Sequence, residues 1–421
     1  MALSAKVVSF LLSDDVVGTT QAITGVGFQP KAIIFWWGGN TSAVDSVVND
    51  NSHFGAGFAE SATERGCIGA WVNNNEATME TAVCIREDQI AATVDGTDLT
   101  VGRWDLVSMD ADGFTVIVDQ DASVANGPRV HALCLGGTDI TNVDFGAFTK
   151  AGATGNQAVA GVGFQPDVVF FLTTGEGGPS PDSDSTARYS LGVARSAAEQ
   201  MVLHGFSEDG LGESNTERYH NHSECVMGRI NSSFAQQRGS LVSLDADGFT
   251  INWLAGTATL PVLYLALKGG GWKIGNTFTS TLLTTISVSG FGFAPKGVMV
   301  LSHCAVSAST PGTMQANMML SVGAGDSPTS RRCQSDQEDD ALATSSVWKG
   351  ISFDEVYQNL TGGGGMVGEM DIQSFDADGI TFVMDDADPS ARTFGYVACG
   401  DTPAAGGPPG PNALMLLGVG Q

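Results

Sequence analysis

Gly25-Val26-Gly27-Phe28-Gln29-Pro30 returns as Gly161-Val162-Gly163-Phe164-Gln165-Pro166 and again as Gly290-Phe291-Gly292-Phe293-Ala294-Pro295. An apolar run follows each copy, at residues 32–37, 168–172 and 298–301. A second phrase, Asp110-Ala111-Asp112-Gly113, recurs as Asp245-Ala246-Asp247-Gly248 and Asp376-Ala377-Asp378-Gly379. From Gly25 to Asp110, Gly161 to Asp245 and Gly290 to Asp376 the separations are 85, 84 and 86 residues, so the two phrases mark one unit. Self-similarity at a fixed period decides the architecture before any local signal does.

Three modules follow, at residues 1–137, 138–270 and 271–402, with a tail at 403–421. Each is long enough to bury a core of its own. In the first phrase, glycine permits backbone angles closed to other residues, and Pro30, Pro166 and Pro295 suit the entry to a strand. The apolar runs behind them barely alternate, which reads as strands buried on both faces. After the second phrase, Phe114, Val116 and Val118 alternate with polar neighbours, as do Phe249, Ile251 and Trp253, and Ile380, Phe382 and Met384. That is a half-buried hairpin strand. Short apolar runs punctuated by 55 glycines and by Asn, Asp and Ser give the fold class. The chain is expected to be all-β: three tandem antiparallel β-sandwich (jelly-roll-like) modules. They can close around a pseudo-threefold axis in imitation of a homotrimer, or hang as a linear string.

The formal net charge is −27, from 19 Lys plus Arg against 46 Asp plus Glu. Phosphate backbones and anionic lipid repel such a chain, so neither nucleic acid nor membrane is an expected partner. Seven cysteines at positions 67, 84, 134, 225, 304, 333 and 399 have no disulfide-like spacing, and several sit in apolar runs. They read as buried thiols of a protein made in a reducing cytoplasm. Residues 6–12 superficially suggest a signal peptide, but the apolar stretch is short and Asp14 and Asp15 follow at once. Alignment with residues 143–148 and 272–274 makes it a first strand instead.

Asp-Ala-Asp-Gly invites a calcium loop, yet an EF-hand needs a ligand at position 5, where Phe114 must face the core. The phrase reads as a turn, with Asp side chains holding nearby amides. His220 and His222 place two imidazoles on one side of an extended segment and are the candidate metal ligands, set against a polar strand edge. At this location Cys225 is aligned with Cys84. Asp182 and Asp184, and Asp336, Glu338, Asp339 and Asp340, read as solvated loops. Trp71, Trp104 and Trp348 lie near variable segments, with core packing weighed against sugar stacking. No Ser-His-Asp context, facing carboxylate pair or phosphate-cradling loop stands out. The expectation is no catalytic residues and no cofactor.

Gly-x-Gly-Phe-x-Pro followed by an apolar strand resembles a feature of tailed-bacteriophage virion proteins, carried here by residues 25–37, 161–172 and 290–301. That resemblance implies a non-enzymatic virion structural protein, made in the host bacterial cytoplasm and exposed on the particle as a capsid decoration or a tail or fibre component. Its partners would be other virion proteins or copies of itself, with host-surface glycan or protein as a further class. The loops at residues 38–52, 175–186 and 305–315 vary between modules, and such loops usually carry recognition. The tail bears an apolar cluster, Leu414, Met415, Leu416 and Leu417, expected to dock on a neighbouring subunit. The alternative reading is a lectin-like carbohydrate-binding protein or a polysaccharide hydrolase.

Overall fold

Strands that scarcely alternate must be covered on both sides, and the architecture supplies both covers. The computed structural model describes residues 2–14, 16–96, 100–120, 127–175, 182–229, 232 and 236–403. All regular structure in it is β-strand, and among the described residues no helix is long and apolar enough to cross a membrane. Module one contains β1 (Leu3–Leu11), β2 (Thr20–Thr24), β3 (Pro30–Trp37), β4 (Val47–Asp50), β5 (Ser52–Ala59) and β6 (Arg65–Val72). It continues with β7 (Thr81–Arg86), β8 (Ala91–Val94), β9 (Thr100–Asp110), β10 (Gly113–Gln120) and β11 (Arg129–Gly137). A large sheet runs β1-β11-β3-β5-β6-β7 and a small one β2-β10-β9-β8, all antiparallel. Modules two and three repeat both sheets strand for strand. The chain crosses between sheets at β1–β2–β3, β7–β8 and β10–β11, in the manner of a jelly roll. Between those crossings β3-β5-β6-β7 and β8-β9-β10 run as meanders, each within its own sheet.

The two repeated phrases meet at one corner of every sandwich. Asp112 accepts hydrogen bonds from the amides of Gly25 (3.2 Å) and Gly27 (2.5 Å). Asp247 does the same for Gly161 and Gly163, and Asp378 for Gly290 and Gly292. All six of those glycines have φ between 77° and 97°, which aims both amides at the carboxylate and is strained for any side chain. Asp110, Asp245 and Asp376 each accept from one Ser and one Thr hydroxyl across the hairpin, at 2.7–2.9 Å. Gly113, Gly248 and Gly379 pass so close to the facing strand that a Cβ would lie 2.0 Å from a carbonyl oxygen.

A ring of exchanged strands joins the three modules. Residues Asp182–Asp184 of module two pair with β7 of module one. Gln315–Ala316 of module three pairs with Thr216–Asn221 of module two, and β4 of module one pairs with Val347–Ser352 of module three. Each large sheet thus gains a seventh strand from a neighbour, and the exchange closes on itself. Each interface also carries a carboxylate on a backbone amide at an equivalent place in the opening strand of the next module. Glu60 accepts from Phe145 N (2.8 Å), Glu199 from Ile274 N (3.1 Å) and Asp326 from Val7 N (2.5 Å). A linear string is incompatible with this closure.

The core follows the same logic. Ile33, Phe35 and Trp37 fill module one's own sandwich, while Ala32, Ile34 and Trp36 face the opposite way into a cluster common to all three modules. Module two divides Val169 and Phe171 from Val168, Phe170 and Leu172 in the same manner. Module three divides Val298 and Val300 from Met299 and Leu301. Period two therefore persists in these strands, but both faces read as apolar because both meet a core.

Three expectations change. By sequence, residues 53–58 and 188–193 match residues 317–322, but the third copy of this strand is Met318–Ser327 and the pairing aligns Gly57, Gly192 and Gly323, two residues further on. Cys225 is equivalent to Ile90, whose amide likewise donates to the strand behind it, and not to Cys84, which aligns with Tyr219. The variable loops carry the exchanged strands, so part of their variation serves contacts between modules. All seven cysteines are buried and unpaired with one another.

Candidate interaction face

The residue after the proline of each first phrase reaches across to a module junction. Lys31 Nζ donates to Ile140 O (2.6 Å) between modules one and two. Asp167 accepts from Lys268 Nζ (2.9 Å) and Gly269 N (2.7 Å) at the end of module two, where the chain passes into module three. Lys296 Nζ donates to Leu3 O (3.0 Å) and Asp401 (2.6 Å), tying the start of the chain to its last strand. Leu3 N also donates to Asp401, and Thr402 N to Asp139. Both junctions, the start of the chain and residue 402 are thereby gathered at one end of the ring.

Three clefts open there, related as the modules are. The first, about 410 Å³, lies between Gln29, Lys31, Glu60 and Met109 of module one and residues 141–143 of module two. The second, about 370 Å³, joins Gln165, Asp167, Arg195 and Leu244 to Trp272 of module three, and Thr402 and Pro403 line it. The third, about 400 Å³, joins Lys296, Asp326 and Phe375 to residues 3–5 and Phe28 of module one. Each combines apolar side chains with two ionic groups. Burial, more than any neighbour, pushes the Glu60 carboxyl up in pKa, even though Phe145 N holds it charged. Such shallow, mixed surfaces suit seating a short extended segment better than enclosing a small molecule. The sequence signal for these residues was present, since Lys31, Asp167 and Lys296 occupy one position relative to the phrase.

The sequence candidates fall elsewhere. His220 lies on the strand Thr216–Asn221 and His222 just beyond it, their rings 5.6 Å apart. Burial lowers both to a pKa of about 4, which favours the neutral imidazole, but no third His, Cys, Asp or Glu joins them among the described residues. Asp336 and Glu338, expected in a solvated loop, are fully buried on the strand Ser330–Glu338. Asp336 accepts from Ser52 Oγ of module one (3.1 Å), and Glu338 from Ser207 Oγ of module two. The three modules meet there through hydroxyls and carboxyls. Asp339 accepts from Gln337 Nε2, Asp340 from Thr216 N, and Asp184 pairs with Arg188. Trp104 is core, its Nε1 donating to Ser13 O (2.7 Å), while Trp71 and Trp348 are half-buried. Leu414, Met415, Leu416 and Leu417 lie outside the described residues. No protein-family model and no curated protein sequence matches this chain.

Proposed function

We propose that the chain is a non-enzymatic structural protein of a tailed-bacteriophage virion, exposed on the particle as a capsid decoration or a tail or fibre component. One observation supports this reading above the others: a single chain forms a closed ring of three modules with three like clefts on the end where residue 403 emerges. A ring of this kind presents three similar contacts at once to a threefold or pseudo-threefold lattice, and multivalent contact raises avidity without strengthening any one contact. The acidic surface disfavours nucleic acid and anionic lipid as competitors. In this reading the face with the clefts docks on neighbouring virion subunits or copies of the chain, and the opposite loops are left to solvent and to host-surface glycan or protein.

Deleting residues 403–421 tests the docking half of the proposal. The truncated chain should fold with an unchanged unfolding midpoint but be missing from purified particles, judged by gold-labelled antibody and mass spectrometry. Full incorporation of the truncated chain would refute the role of the tail. Absence of the intact chain from purified particles would refute the virion assignment itself.

A further inference from the structure

The three modules supply an internal comparison at the bulge between the last two strands of each small sheet. In module one, Gln89 precedes β8, Asp105 lies on β9, and Asp119 is the extra residue where the β9–β10 register shifts. Gln89 Nε2 donates to Asp119 (3.0 Å), and Arg65 pairs with Asp105 through Nε (2.7 Å) and Nη2 (2.5 Å). Each of these contacts matches a donor with an acceptor, although Gln89 Oε1 is itself buried without a partner. In module two the equivalents are Glu224, Ser240 and Leu254, and Glu224 takes hydrogen bonds from Tyr219 Oη (2.6 Å) and Arg238 (3.4 Å).

Module three places Glu355, Asp371 and Asp385 at these positions, with Arg331 for Arg65. The donor of module one has become a third acceptor. One carboxylate oxygen from each residue lies within 4.8 Å of the other two. Glu355 is 5% exposed, and its Oε2 is buried with no donor reaching it from outside the cluster. Arg331 reaches Asp371 (3.1 Å), while its other nitrogens are held by the carbonyls of Pro328 and Asp354. Three carboxyl groups thus face a single guanidinium.

We propose that Glu355, Asp371 and Asp385 bind a divalent cation, and that oxygen ligands this widely spaced suit Ca²⁺ better than the smaller Mg²⁺. Ligands on opposite sides of Ca²⁺ at about 2.4 Å would lie about 4.8 Å apart, and water on the exposed Asp385 side can complete six to eight positions. The bulge serves the site by turning Asp385 toward the other two. A cation here would brace the segment that receives module one, because Asp45 accepts from Ser352 Oγ (3.0 Å) and Phe353 N (2.6 Å) just before Glu355. The ring would then close more firmly with the ion bound.

The test uses the full chain, with CaCl2 compared against NaCl of equal ionic strength in thermal unfolding and titration calorimetry. Intact protein should bind one Ca²⁺ and gain about 3 °C at a hundredfold excess over Kd. Glu355→Gln recreates the amide–carboxylate pair of module one, so it should fold normally and lose the response. Asp385→Asn, on the exposed side, should weaken it without harming the fold. No calcium-specific shift in the intact chain would overturn the proposal. An undiminished shift in both variants would assign the effect to the acidic surface and overturn it equally.

Discussion

Replacing Phe170 with alanine should destabilise the whole ring by about 3–5 kcal/mol, the usual cost of deleting a buried aromatic side chain and leaving a cavity. Phe170 belongs to module two, yet its ring lies 6.3 Å from that of Phe58 in module one and 6.1 Å from that of Trp272 in module three. It is 2% exposed and sits in the cluster that all three modules share. The loss should therefore appear as one cooperative transition moving to lower denaturant or temperature, with an unchanged slope. Calorimetry or tryptophan fluorescence would show it. A separate early transition, with the rest of the protein melting as before, would mean that module two stands alone.

Glu338→Gln should act in the opposite sense, and only at higher pH. Burial raises the Glu338 carboxyl to about 7, although the Ser207 hydroxyl favours its charged form. A carboxyl raised on folding contributes its full stability below the unfolded value of about 4.3, and that contribution is lost as pH rises through 7. Near pH 8.5 the native protein must hold a buried charge that the amide variant lacks. The variant is then expected to be more stable by about 3 kcal/mol. Below about pH 4.5 the difference should vanish. Equal stability at pH 8.5, measured by urea unfolding, would show that water reaches Glu338.

The repeat announced the sandwiches because its two phrases touch. Asp112, Asp247 and Asp378 bond to the very glycines of the first phrase, so a spacing in the sequence is a contact in space. Strand type was equally legible from period-two alternation around Phe114, Phe249 and Ile380. What escaped was most of what one module does for another. The exchanged strands are two to four residues long, too short for any periodicity to register. Asp336 and Glu338 look like loop residues because their partners, Ser52 and Ser207, lie in other modules, and no local pattern encodes a partner so distant. Glu355 escaped for a different reason. It becomes conspicuous only once β-pairing aligns it with Gln89 and Glu224, and sequence spacing had put the third copy two residues out of register.

Closure of the ring underlies all of these expectations, and small-angle X-ray scattering of the intact chain in solution tests it most directly. Exchange of β4, Asp182–Asp184 and Gln315–Ala316 around one common core predicts a monomer with a radius of gyration of about 22 Å and a single-peaked, symmetric distance distribution. Three modules strung end to end would instead give a radius above about 30 Å and a long tail in that distribution. The second result would contradict the account.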